Sequence, residues 1–152
     1  MKMRVYTDTS ALGGCEVEQF RVPPRRLLEA FIRGDMTLVL SELTLRELEA
    51  APEIIRTLVS GVPEAHIDTL SISPDAEELA AGYIHERAIG ASMRIDALHI
   101  AMATIARVDV LVSWNFRHIV NLRRIQAYNA VNLKRGYPLL EIRTSKEVVG
   151  DE

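Results

Sequence analysis

The stretch Arg4-Val5-Tyr6-Thr7-Asp8-Thr9-Ser10 decides how the rest of the chain is read. Its β-branched and aromatic residues favour a strand, and the acid and two hydroxyls that follow, with Gly13-Gly14 behind them, end it. The strand therefore delivers a carboxylate at its carboxyl end, the edge where parallel α/β sheets collect their chemistry. Beyond it, strands and helices alternate.

Pro23-Pro24 open a helix with Leu27, Leu28, Phe31 and Ile32 at helical spacing, closed by Gly34-Asp35. Met36 to Leu40 is a second strand, Ser41 caps a helix over about Glu42 to Ala50, and another helix runs past Pro52 to Gly61. Ile67 to Ile72 reads as a minor strand, and Pro74 to about Ala88 and Arg94 to Ala106 read as helices. Val108 to Val112 is a strongly apolar strand, Asn115 to Val131 is largely helical, and Leu139 to Arg143 is the last strand. This order predicts a three-layer α/β/α fold around a central, mostly parallel sheet of four to five strands. At 152 residues the chain is too short for two ordinary domains, so we expect one domain over 1–145 and a polar tail over 146–152.

With 18 Lys+Arg against 21 Asp+Glu, the formal charge of -3 gives no whole-protein attraction to nucleic acid or anionic lipid. The distribution is more informative. No acid lies between Asp109 and Glu141, while Arg117, Arg123, Arg124, Lys134 and Arg135 fall inside that interval, which predicts a basic patch. The single cysteine, Cys15, excludes an intramolecular disulfide, and no Cys/His spacing suits zinc. No run approaches the ~18 apolar residues of a membrane helix, and an acid stands where a secretory leader would be apolar. The expectation is a soluble, cytoplasmic protein with no membrane partner.

Three acids from separate segments then stand out. Asp8 follows the first strand, where a carboxylate serves as a metal ligand or as a helix cap. Glu42, Arg46 and Glu49 form a solvated helical face, whereas Glu47 points toward the apolar side, where a carboxylate needs a cation or donors. Asp96 opens an otherwise apolar helix, a place the macrodipole also favours. Carboxylates drawn together repel unless a hard cation such as Mg²⁺ or Mn²⁺ neutralises them. Such an ion activates water and stabilises charge on a phosphoryl oxygen.

Taken in order, Val5-Tyr6-Thr7-Asp8-Thr9-Ser10, Ser41 with Glu47 behind it in a helix, Asp96-Ala97-Leu98-His99-Ile100-Ala101, and Val110-Leu111-Val112-Ser113-Trp114-Asn115-Phe116 resemble the PIN domain of VapC-like ribonuclease toxins. The resemblance spans Arg4 to about Ile142. It implies metal-binding acids at Asp8, Glu47 and Asp96, a supporting hydroxyl at Ser10, and a site- or phosphate-orienting hydroxyl at Ser113. Its fourth acidic position falls on Asn115, whose amide oxygen can still ligate a metal or hold a metal-bound water, with one charge fewer to bind Mg²⁺. The implied activity is endoribonucleolytic cleavage of RNA, with Arg117, Arg123 and Arg124 near the flanking phosphates. Implied too are an antitoxin partner and a homodimer. The alternative is a weakened PIN scaffold that binds RNA or a protein without cutting.

Other residues carry less. His99 is read as a packing histidine ahead of a support for the acids, and Trp114 as interface packing or a base-stacking ring. His118 is read as a solvated helix residue and Cys15 as a small side chain.

Overall fold

A computed structural model of the chain describes residues 2–13 and 22–150. Gly14 and Cys15 lie outside the described residues. Five strands form one sheet: β1 (Met3–Thr7), β2 (Met36–Ser41), β3 (Ile67–Leu70), β4 (Val110–Val112) and β5 (Ile142–Arg143). Their order is β3-β2-β1-β4-β5, and every adjoining pair is parallel. Val5 aligns with Leu38 on one side and Val110 on the other, so β1 is the central strand and Asp8 leaves the middle of the sheet.

Strand alternation divides the core in two. Val5, Leu38, Leu40, Val110 and Val112 face one layer, and Tyr6, Val39 and Leu111 face the other. The first layer is built on α2 (Val22–Arg33), which packs Leu27, Leu28 and Phe31 on the sheet, and α4 (Glu53–Ser60), which adds Ile55 and Val59. On the second face lie α5 (Pro74–His85), α6 (Arg94–Ile105) and α7 (Leu122–Lys134). The predicted three layers are present, with a sheet that is wholly parallel.

α6 is the innermost helix, buried continuously from Ala97 to Thr104, so only its ends reach water. Local chemistry fixes most boundaries. Gly34, at φ +82°, closes α2, and the Asp35 N–H reaches back to the Ala30 carbonyl at 2.9 Å. Ser41 accepts the Thr44 N–H to start α3 (Glu42–Glu49), and Pro52 caps α4. Ser73 accepts the Ala76 N–H, with Pro74 in the first turn of α5.

Three expectations change. The strands near the ends are shorter: β3 stops at Leu70, β4 starts at Val110, and β5 spans Ile142–Arg143 alone. The long helix expected from Asn115 is turn over its first part and helical only from Leu122, because Asn121 is extended and its side chain caps Arg124. The residues expected as a polar tail include a short helix, α8 (Ser145–Val149), started by a Thr144/Glu147 capping box. Val148 and Val149 of that helix pack on the α2 side of the core.

Candidate functional site

The carboxyl ends of β1, β2 and β4 lie side by side, and three short segments leave from them. β1 runs into α1 (Thr9–Gly13), β2 into α3, and β4 into the loop Ser113–Asn115. The first turn of α6 meets that loop, since Asn115 Nδ2 donates to Asp96 Oδ2 at 3.3 Å. Asp8, Glu47 and Asp96 are thus brought to one edge of the sheet from segments far apart in sequence.

Asp8 is 5% exposed. Its Oδ1 accepts the Ser10 hydroxyl at 2.7 Å and the Ala11 N–H at 3.0 Å, and its Oδ2 accepts the Ser113 hydroxyl at 2.6 Å. It is therefore a helix cap and a buried acid at once. Burial pushes its carboxyl above the ordinary range, opposed by the hydrogen bonds from Ser113, Ser10 and Ala11. Three bonds leave about one of the carboxylate's four lone-pair sites for an outside partner. Ser10 binds β1's loop to β4's loop as well, because its Oγ accepts the Trp114 N–H at 3.0 Å, and Ser113 Oγ accepts the Asn115 N–H within its own loop, also at 3.0 Å.

Glu47 has its side chain 36% exposed and turned toward the other acids, away from the Glu42–Arg46 ion pair on the solvent face of α3. Thr9 Oγ1 donates to Glu47 Oε1 at 2.8 Å, and His99 Nε2 lies 3.2 and 3.3 Å from its two oxygens. Burial alone would raise its pKa, but the hydrogen bonds from His99 and Thr9 outweigh it and hold the carboxyl below its usual value. His99, read from sequence as packing, is 2% exposed and touches Glu47 directly. The signal was its position one turn after Asp96 on α6, which puts both on the same edge. Neither Thr9 nor Tyr6 was singled out by the sequence, and Tyr6 reaches the ring's other nitrogen at 2.6 Å.

Asp96 is half-buried. Desolvation raises its pKa, the neighbouring His99 and His118 imidazoles oppose this, and the charges of Asp8 and Glu47 raise it further. Asp96 therefore sits within the electrostatic reach of both other acids. His118 lies in the turn before α7, not on a solvated helix, and its Nδ1 is buried without a hydrogen-bond partner.

The amide of Asn115 is oriented by its surroundings. Its Oδ1 accepts the backbone N–H groups of Arg117 at 3.2 Å and His118 at 3.0 Å, which leaves the NH₂ to face Asp96. The oxygen expected to help a metal is thus committed to its own turn. This explains why the long helix fails to start there.

Among the described residues, no group of three or more His, Cys, Asp and Glu side chains is drawn close enough to form a ready metal cage. Each carboxylate has taken protein donors instead: Asp8 from Ser10, Ala11 and Ser113, Glu47 from Thr9, and Asp96 from Asn115. The donor chemistry nevertheless fits a hard divalent ion. The available groups are carboxylate oxygens, with no thiolate among them, and each acid keeps unfilled lone pairs.

The basic side chains of the interval differ in what they touch. Arg117 and Arg123 are exposed, whereas Arg124 Nη1 donates to the Ala88 carbonyl at 2.8 Å and ties α7 to the end of α5. Lys134 and Arg135 both pair with Glu86, at 2.9 and 3.6 Å. No helix of the described residues is long and apolar enough to cross a membrane.

No family model matches this chain, and no curated protein sequence does. Solved structures do match. A chain of VapBC2 from Rickettsia felis, determined bound to a DNA fragment from their promoter, aligns at TM-score 0.56 over 93% of this chain and 98% of that one, with 14% identity. VapC20 from Mycobacterium tuberculosis, a sarcin-ricin loop cleaving toxin, aligns at TM-score 0.55 over 74% of this chain and 91% of that one, also with 14% identity. At such identity the likeness speaks for the fold. The chain has the PIN-type α/β/α fold of VapC toxins.

Proposed function

We propose that this chain is a Mg²⁺- or Mn²⁺-dependent endoribonuclease, the toxin of a toxin–antitoxin pair. The observation that carries the reading is the convergence of Asp8, Glu47 and Asp96 at the carboxyl edge of the sheet, with Asp96 in the field of the other two. The fold is shared with a toxin that cleaves the sarcin-ricin loop, which supports RNA as the substrate class.

In this reading Asp8, Glu47 and Asp96 hold the ion, and Ser10 and Ser113 keep the Asp8 carboxylate aimed by donating to both its oxygens. The chemistry the ion supplies is activation of water and neutralisation of charge on the phosphoryl oxygens. Asn115 orients Asp96 through its NH₂, and Arg117 and Arg123 face the flanking phosphates. An antitoxin covering the acidic edge, a homodimer and a cytoplasmic location belong to the same reading.

A second reading rests on Asn115, which offers Asp96 a neutral donor where the resemblance implies a fourth acid. It makes the chain a PIN scaffold that binds RNA or protein without cutting. Cleavage of structured and unstructured RNA with and without Mn²⁺, comparing wild type with Asp8→Asn, tests the first reading. Metal-dependent cleavage lost in the variant sustains it, and equal cleavage by both ends it. Calorimetry separates the two: no heat at millimolar Mn²⁺, with RNA binding retained, selects the scaffold.

A further inference from the structure

The second layer of the site is a chain of hydrogen bonds that ends on Glu47. It starts at the Thr44 N–H, which donates to Ser41 Oγ at 3.4 Å. Ser41 Oγ lies 2.7 Å from the Tyr6 hydroxyl, and that hydroxyl lies 2.6 Å from His99 Nδ1. His99 Nε2 then faces both oxygens of Glu47. Four different elements, β1, β2, α3 and α6, contribute, and Tyr6, Ser41 and His99 are all at most 2% exposed.

The chemistry of its end fixes the direction. Glu47, ionised at neutral pH as any ordinary carboxylate is, offers only acceptors to the ring nitrogen 3.2 Å away. His99 Nε2 must therefore carry a proton, whatever the charge of the ring. Tyr6 is pushed strongly up by burial and keeps its proton, so it can only meet Nδ1 through a neutral O–H. The Tyr6 and His99 rings also meet edge to face, at 5.7 Å between centroids and 72° between planes. The imidazole is thus gripped on its far nitrogen and along its side, with its Nε2–H aimed at a carboxylate that has few other fixed contacts.

We infer that His99, held by Tyr6 and Ser41, is a positioning residue that sets the orientation of Glu47 for divalent metal binding. The inference rests on the proposed metal role of Glu47. Its logic is that of an outer partner that fixes a ligand, where loss of the partner commonly weakens metal affinity about 10- to 100-fold. Without His99, Glu47 keeps, among the described residues, only the Thr9 hydroxyl as a hydrogen-bond partner, and rotates about its long side chain.

The test combines Mn²⁺ calorimetry on the full chain with a long-range ¹H–¹⁵N spectrum of its histidine rings. Wild type is expected to show a protonated His99 Nε2. His99→Ala and Tyr6→Phe are expected to bind Mn²⁺ more weakly by a factor of ten or more, and His99→Gln, which returns an N–H toward Glu47, to recover much of the loss. Tyr6→Phe serves where His99→Ala melts too low to assay, since it keeps the ring volume. Wild-type Mn²⁺ affinity in a folded Tyr6→Phe or His99→Ala variant, or an unprotonated Nε2, overturns the inference. Absence of Mn²⁺ binding in wild type defeats the metal reading itself, and the histidine spectrum then decides the relay independently.

Discussion

The Asn115 side chain donates to Asp96 across 3.3 Å, while its oxygen is held by the Arg117 and His118 N–H groups. A residue that stands where the PIN resemblance implies an acid therefore donates a neutral hydrogen bond to an acid instead. Asn115→Asp tests what this substitution does. An aspartate keeps the turn, because its oxygen accepts the same two N–H groups, but it sets a fourth negative charge beside Asp96. We expect a lower melting temperature in chelator, tighter Mn²⁺ binding and a larger stabilisation by Mn²⁺ than in wild type. Unchanged Mn²⁺ affinity by calorimetry would show that Asp96 is not a ligand.

Asp8→Asn separates charge from shape. The amide oxygen can still accept from Ser10 and Ala11, and the Ser113 hydroxyl can rotate to accept from the new NH₂. Removing a buried charge while keeping its bonds should leave metal-free stability within about 1 kcal/mol of wild type. RNA cleavage should fall at least about a hundredfold, as expected for losing a group that stabilises charge in the transition state. Thermal melts in chelator, run beside the cleavage assay, check both halves.

Stability should depend on pH in a direction set by the two raised acids. Asp8 and Asp96 both have folded-state pKa values above their ordinary ones, so the folded chain binds protons that the unfolded chain has already released. Their contribution is fully present below the usual carboxylate range and is lost as pH rises through their folded values. Glu47 has the opposite sign: its contribution is present above its usual value and disappears as pH falls through its lowered one. In chelator, therefore, denaturant midpoints should decline from mildly acid to neutral pH, and Mn²⁺ should restore more stability at neutral pH than at acid pH. A midpoint that rises steadily over that interval would contradict the buried, unneutralised acids.

The arginines should divide by what they touch. Arg117→Ala and Arg123→Ala remove exposed charges, so each should leave the melting temperature alone and lower the salt slope of RNA binding by about 0.7. Arg124→Ala breaks the bond to the Ala88 carbonyl and should cost about 1 kcal/mol of stability. Filter binding across a salt series, paired with denaturation, tells the two kinds apart. An Arg124 variant that loses RNA affinity without losing stability would make it a phosphate contact after all.

The fold was legible because local chemistry and layer position agree along most of the chain. Val5-Tyr6-Thr7 runs as strand into an acid, Gly34 can take the φ that stops α2, and Pro74 behind Ser73 starts α5. Asp8 and Glu47 were visible for the same reason, as charged groups at strand mouths or on an apolar face. The loop after β4 was misread because Asn115 and Asn121 look like ordinary helix residues until their oxygens are seen taking backbone N–H groups. α8 was missed because five residues with a capping box give too little periodic signal to stand out from a polar tail.

What the sequence by itself determined is the alternation of strands and helices, and hence a parallel sheet whose carboxyl edge gathers the acids. Only the tertiary structure decided how those acids are satisfied: Glu47 by His99 and Thr9, Asp8 by Ser10 and Ser113, Asp96 by Asn115. The reason is physical. Periodicity and capping act over a few neighbouring residues, whereas a hydrogen bond between residues 47 and 99 exists only once α3 and α6, far apart in sequence, reach the same edge of the sheet.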